Sequence, residues 1–475
     1  MRHLAAVLVV IALAPPARSG DLKAGAAAVV ITPPTGIPMA GYYAERGARG
    51  VHDDLYARAI VIESGGRAAA LVALDLITTP RELVEPARRE IERTTHVRGA
   101  DVMISATHSH TGPMIDRDNP FGGGSKLVRD YLAGLPARIA ESVHQAEARL
   151  APAKAFAAAG RETSIAFNRR FHMKDGTVGW NPGKLNPAII KPAGTIDPEV
   201  PVVYFESTAG RPIATYVNYA VHLDNVGQPS LSADLVYPLS RALADFKGPA
   251  MVTAFTAGCC GDVNHINVSW SEPQRGFANA ARMGTILAGE VLRTWPRLQP
   301  VEAGAVRVRS ATVSLPLPAI SEADVVRSRA VIARMQAPNG HRPAFIEMVD
   351  ALKIRDVAAR QGRPLEVEVQ VVALGDRLAW VSLPGEIFVE LGLAIKQDSP
   401  FGRTIVAELA DGAIGYIPSR RAYAQGNYEV VSARCGEGSG ERLVDAAGKL
   451  LRELYAEARA ARTGGEVKTS EAGRR

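Results

Sequence analysis

Ile104-Ser105-Ala106-Thr107-His108-Ser109-His110-Thr111-Gly112-Pro113 is the stretch whose reading sets the rest of this chain. The apolar run Val102-Met103-Ile104 leads straight into two histidines two positions apart, and Gly112-Pro113 ends the element. On an extended segment side chains at i and i+2 share one face. The spacing therefore predicts His108 and His110 side by side at a strand end. Two imidazoles converging where a loop-lined pocket begins suggest a metal, or a metal ligand with a catalytic neighbour.

Outward from this segment, short β-branched or aliphatic runs alternate with longer Ala/Leu/Arg-rich stretches. Strands are expected over 57–62, 68–74, 101–105, 202–205, 213–219, 251–256, 366–373 and 378–383. Helices are expected over 80–94, 126–150, 235–246, 272–294, 321–335 and 440–462. This interleaving predicts an α/β fold with mixed β-sheets packed with helices. Gly122-Gly123-Gly124, 180–198 and 338–343 read as loops, the middle one bordering the pocket.

Several of the predicted strands deliver polar residues to their ends. The run Ala214 to Tyr219 leads to His222, and Ser232-Ala233-Asp234 stands where a helix cap is wanted. Ala254 to Thr256 runs into Gly258-Cys259-Cys260-Gly261-Asp262-Val263-Asn264-His265, a glycine-flanked turn that lets backbone approach a ligand closely. Ala379 to Leu383 is followed by Pro384-Gly385-Glu386, which places Glu386 at an expected helix N-terminus, where an ionised carboxylate is favoured. Tyr416, Tyr423 and Tyr428-Glu429 crowd one loop-like stretch. Taken singly, each has an ordinary structural explanation.

The chain has 475 residues, 47% hydrophobic and 22% charged, the balance of a globular protein with a substantial core. Residues 1–19 read as a secretory signal peptide: Arg2, an apolar Leu4 to Leu13, then Ala17-Arg18-Ser19 before Gly20. The expected destination is the periplasm or the medium. A single domain is expected over 20–463, with a disordered tail at 464–475. The net charge of +6 is spread without Lys/Arg blocks or aromatic interleaving, which excludes nucleic acid as the natural partner. A membrane-surface contact is compatible with it, and no oligomeric state is encoded in it. Cys259 and Cys260 are adjacent and poorly placed to bridge each other; Cys435 could pair with either, or all three could be buried free thiols.

In combination and in order, these motifs resemble the neutral (non-lysosomal) ceramidase family. Met39-Ala40-Gly41-Tyr42 is similar to the family's Met-Gly-Tyr, and Gly50-Val51-His52 with Tyr56-Ala57-Arg58-Ala59 to its Gly-Ile-His and following strand. Thr107 to Pro113 matches Thr-His-Thr-His-Ser-Gly-Pro, Asn168-Arg169-Arg170 looks like Asn-Arg-Ser-Pro, and Pro384-Gly385-Glu386 matches letter for letter. Tyr416-Ile417-Pro418-Ser419, Ala422-Tyr423 and Tyr428-Glu429 resemble its tyrosine-rich segment. The likeness runs from about Ala24 to Ser432.

The resemblance implies an exported zinc-dependent amidase acting on a small-molecule N-acyl substrate, with lipids among the candidates. It implies zinc held by His108, His222, Glu386 and Tyr416, with His110, Arg169 and Tyr428 lining the site and His110 shuttling a proton. Nitrogen and oxygen ligands with one open position independently describe a hydrolytic zinc site for the first three. Tyrosine would not be proposed on chemistry alone. Two departures stand out. Asn264 occupies the place of the family's serine after Gly-Asp-Val, so only hydrogen bonding to an oxyanion or to substrate is open to it. Fewer than fifty residues follow Glu429, which predicts no C-terminal immunoglobulin-like domain, since such a sandwich needs about 100. The alternatives are a hydrolase of a non-lipid amide or ester, an amidohydrolase-type β/α barrel, and a non-catalytic exported binding protein. A serine hydrolase is disfavoured by the absence of Gly-x-Ser-x-Gly.

Overall fold

The strands that carry the architecture are β1 (Lys23–Val30), β2 (Tyr56–Ser64), β3 (Arg67–Leu74), β4 (Val102–Ala106), β5 (Ala151–Arg161), β6 (Glu199–Ser207), β7 (Pro212–Tyr219), β8 (Val252–Ala257), β9 (Val306–Leu315), β10 (Leu365–Leu374), β11 (Leu378–Ser382) and β12 (Arg403–Ala407). The helices are α1 (Arg81–Thr94), α2 (Lys126–Ala148), α3 (Val236–Lys247), α4 (Phe277–Thr294), α5 (Glu322–Gln336), α6 (Phe345–Ala359), α7 (Val389–Asp398) and α8 (Ser439–Ala472). The computed structural model describes residues 22–302, 304–337 and 342–472, without the side chains of 336 and 463–472. The expected signal peptide, 1–19, lies outside the described residues, as do the side chains of the expected tail.

A nine-stranded mixed sheet runs β8-β7-β6-β5-β1-β2-β3-β4, with Gln299–Val301 added beside β5; β9-β10-β11-β12 form a second, four-stranded sheet. Side-chain alternation stacks them. Along β2, Ile60 and Ile62 face one way and Ala59 and Val61 the other, so both faces are buried. Ile60, Leu71 and Met103 interlock with Val372, Leu374 and Trp380 of the smaller sheet. Ala59, Val72 and Ile104 pack under Val84, Ile139, Leu239 and Leu287 of α1 to α4. On the far side of the small sheet, Val369, Val371 and Val381 meet Leu391, Ile395 and Leu450 of α7 and α8. The result is a four-layer helix–sheet–sheet–helix sandwich. It excludes the β/α barrel.

Three strand–helix–strand crossovers are parallel: β3-α1-β4, β7-α3-β8 and β11-α7-β12. Ligand sites of such sheets form at the carboxyl ends of their strands. The segments after β4, β7, β8 and β11 carry His108 and His110, His222, Asn264, and Glu386. Each predicted strand and helix is present, although α4 starts at Phe277 and not at 272, held off by Pro273 and by Gly276, which has φ 98°. The three cysteines are free and buried. Among the described residues no helix is long and apolar enough to cross a membrane.

Candidate metal centre

The two leading histidines meet by a different route from the one the spacing suggests. Strand β4 stops at Ala106, and His108 takes φ 71°, a left-handed backbone uncommon for a side-chain-bearing residue. The pair is therefore a turn and not an extended i, i+2 pair. Backbone N–H groups fix it: Thr107 donates to Leu74, His108 and Ser109 to Leu76, and His110 to Leu223. The turn brings the two Nε2 atoms to 3.3 Å. His222 arrives from the end of β7 alongside, where Ser109 and Leu223 form a parallel bridge.

Each ring is anchored through Nδ1 on a backbone carbonyl: His108 on Ile77 at 2.8 Å, His110 on Gly41 at 3.0 Å, His222 on Val263 at 3.0 Å. A neutral imidazole has one donor, and here Nδ1 uses it. All three Nε2 lone pairs then face one another, within 4.8 Å. Burial keeps His110 and His222 neutral: it drives His222 well below the usual imidazole range, with Arg169 pushing the same way, and holds His110 at about 4. Arg169 Nη1 reaches His222 Nε2, but the facing lone pairs of His108 and His110 cannot satisfy each other; a cation among the three can. This Nδ1-to-carbonyl anchoring is typical of metal-ligating histidines.

Glu386 completes the cluster from a place the sequence did not suggest. Helix α7 begins only at Val389, and Glu386–Ile387 instead forms a two-residue parallel ladder with Tyr416–Ile417. Glu386 Oε2 lies 3.2 Å from His222 Nε2 and 3.5 Å from His108 Nε2. That oxygen is buried and has no hydrogen-bond partner among the described residues. The buried histidine triad and this orphaned oxygen could together hold a metal ion.

Arg169 closes the back. Its Nη2 donates to the Gly261 carbonyl at 2.7 Å and to the Tyr416 hydroxyl at 3.0 Å, and its Nη1 lies 3.1 Å from His222 Nε2. Its Nε donates to Glu429 at 2.9 Å, a carboxylate that also accepts from Arg170 at 2.7 Å. The Tyr416 hydroxyl is 3.5 Å from His222 Nε2, and burial pushes that phenol's pKa up against the opposing pull of Arg169. Tyr428 sets its ring 5.3 Å from that of Tyr416. Asn264 follows the carbonyl on which His222 leans; its amide donates to Asn181 at 3.0 Å and its oxygen accepts from the Ile266 N–H.

Three features escaped the sequence reading. Asp224 stands 3.9 Å from His110 Nδ1 and is bound by Tyr42 and Arg275; its position two residues after His222 was the available signal. Trp180 and Phe345 stack at 5.5 Å and form with Tyr428 an aromatic wall beside the cluster. Glu408 accepts the Ile387 N–H at 2.7 Å and the Cys260 thiol at 2.9 Å, behind the Glu386 segment. Asp234, expected to cap α3, instead accepts the N–H groups of Asn225, Val226 and Leu235.

No family model matches the sequence. Over 230 residues the chain is 30% identical to the neutral ceramidase of Pseudomonas aeruginosa, 45% of this chain and 32% of that protein. It thus spans about a third of that relative's length. The crystal structure of neutral ceramidase from Pseudomonas aeruginosa superposes with a TM-score of 0.72 at 20% identity, over 91% of this chain and 75% of that one. The chain has the fold of neutral ceramidase. A ceramidase complexed with C2 superposes at 0.69, also at 20% identity, covering 91% and 76% of the two chains. The α/β architecture of mixed sheets and helices is therefore that of neutral ceramidase, and the histidine cluster sits at the carboxyl ends of the parallel strands.

Proposed function

We propose that the protein is an exported, zinc-dependent hydrolase of N-acyl amide bonds. The observation that carries this reading is the orphaned Oε2 of Glu386 between the Nε2 atoms of His108 and His222. A mixed nitrogen and oxygen donor set of this kind suits zinc. His108, His222, Glu386 and Tyr416 would hold it. Zinc bound there supplies acidification of water near neutral pH and polarisation of an acyl carbonyl.

The remaining chemistry belongs to the chain. His110 is held on the Gly41 carbonyl and presents a free Nε2 to the cluster, placed to accept a proton from water and return it to the leaving amine. Asp224, 3.9 Å away, favours the transient imidazolium. Arg169 cannot lose its proton and stabilises negative charge building on the acyl oxygen. Tyr428 donates its hydroxyl to the scissile group, and Asn264 orients substrate with the amide hydrogen that Asn181 leaves free. The wall of Trp180, Phe345 and Tyr428 excludes water on one side and suits an apolar acyl group. The signal-peptide-like 1–19 supports export.

Asn264 in the place of the family's serine favours a second reading, hydrolysis of a non-lipid amide or ester by the same residues. Metal analysis of the purified protein, then a screen of short- and long-chain N-acyl amides with ceramide and simple esters included, tests both. Chelator-sensitive amide hydrolysis with about one zinc per chain is expected. A metal-free protein that hydrolyses at an undiminished rate would defeat the proposal.

A further inference from the structure

The loops beside the cluster carry an apolar patch that the hydrolytic chemistry does not use. Leu185 is 61% exposed, Ile190 60% and Trp270 39%. Single exposed apolar residues are ordinary, but these three sit together around one groove. Leu185 donates its N–H to the Val268 carbonyl at 2.7 Å, Ile190 and Val268 line the groove, and Trp270 packs its ring 6.1 Å from that of Phe167 on the groove's wall. The groove has a volume of about 480 Å³ and lies behind the segment bearing Arg169, lined further by Phe171, Ile189 and Pro192. Leu185 is held at φ 52°, a strained backbone for a leucine whose side chain is left in solvent.

We propose that this face docks on an anionic lipid bilayer. Tryptophan with aliphatic neighbours is the composition that settles at the headgroup boundary. Charge agrees: over the two loops, residues 172–192 and 267–272, Lys174, Lys184 and Lys191 stand against Asp175 and Glu272. Lys184 spans the two loops, donating to the carbonyls of Ser271 and Glu272 at 2.7 and 2.8 Å, which fixes its cation at the rim of the patch. Position agrees as well. The loop leaves the catalytic wall at Trp180, whose ring is 4.4 Å from that of Tyr428, and at Asn181, the acceptor for Asn264. Four residues on is Leu185, at most about 14 Å of chain away. Docking here holds the segment that carries Trp180 and Asn181 next to the bilayer surface.

The surface is independent of the hydrolytic reading, because flotation registers it with or without turnover. The full chain is floated with phosphatidylcholine vesicles and with vesicles containing phosphatidylglycerol. The paired variant Leu185→Ser/Ile190→Ser and the charge variant Lys191→Glu are run beside it, with thermal melting to show that each is folded. We expect the wild type to partition onto the phosphatidylglycerol vesicles and less onto phosphatidylcholine. The paired variant should lose at least about tenfold in partition, given the apolar area it withdraws, and Lys191→Glu should lose a smaller factor on anionic vesicles only. Hydrolysis of a soluble short-chain amide should be unchanged in both. A wild type that floats with neither vesicle or equally with both overturns the proposal, as does a folded paired variant that floats like wild type.

Discussion

Glu386 and Tyr416 are register partners in a two-residue parallel ladder, although 29 residues of sequence separate them. The ladder fixes both side chains on one face, and the Glu386 oxygen then reaches two imidazoles that come from other loops. Geometry of this kind is inherited from backbone pairing, so it survives changes to the side chain itself.

Glu386→Gln should therefore leave the ladder intact while replacing an anionic donor by a neutral one. We expect zinc affinity to fall by more than about 100-fold, beyond the loss typical of an outer-shell partner, with hydrolysis falling in step. Zinc titration and initial rates on the same preparation check this. A variant that keeps both zinc and rate would contradict the ligand role.

Asn264→Ala separates chemistry from metal binding. Its amide is tied to Asn181 and its oxygen to the Ile266 N–H, so the truncation removes an orienting group without touching a histidine. Turnover should drop by about 10²-fold, the scale of one lost oxyanion-type donor, at nearly unchanged zinc affinity. Equal loss of both would refute the substrate-orienting role.

Much of this site was legible because its residues lie at the ends of periodic apolar runs. His108, His222 and Glu386 each follow such a run, and the ladder and turns bring them together. What the sequence could not convey was local backbone: the left-handed φ of His108 and the Glu386–Tyr416 ladder are set by tertiary pairing and leave no periodic trace. Strands β1 and β5 escaped for a related reason. Their alanine-rich KAGAAAVV and APAKAFAAAGR favour helix by propensity, and only burial between helices and the second sheet makes them strands. Asp224 belongs to a loop, Phe345 to a helix start and Trp180 to the end of the short strand Val178–Trp180, and their approach to the site depends on the whole sandwich.

Asp262 gives a pH signature of the scaffold. Burial raises its pKa to about 6, against the pull of the Val389 and Asn168 donors. A carboxyl raised in the folded state contributes stability that is present at low pH and lost as pH rises through 6. In Asp262→Asn that contribution is absent, while the mismatch with the Asn168 amide is the same at every pH. The wild-type advantage over the variant should thus be larger at pH 4.5 than at pH 7.5 by about 2 kcal/mol, read from urea unfolding of both proteins. A gap that does not change with pH, or widens upward, would show that Asp262 is ionised throughout.

Gly261 tests how tightly the acid-bearing segment is clamped. A Cβ there would stand 2.4 Å from the Glu386 carbonyl oxygen and 2.8 Å from its carbonyl carbon, both backbone atoms that cannot swing aside. The same glycine donates its N–H to Ile387 at 2.8 Å and accepts Arg169 Nη2 at 2.7 Å. Gly261→Ala must therefore push the Glu386 segment away from His222 or break the Arg169 contact. We expect a stability loss of about 1–3 kcal/mol, the usual cost of overpacking, together with weaker zinc binding. Gly289→Ala is the matched control: its Cβ meets nothing within 4 Å in the middle of α4, so helix propensity alone should raise stability by up to about 1 kcal/mol. If the two alanines behave alike in unfolding and zinc titration, Gly261 does not set the position of Glu386.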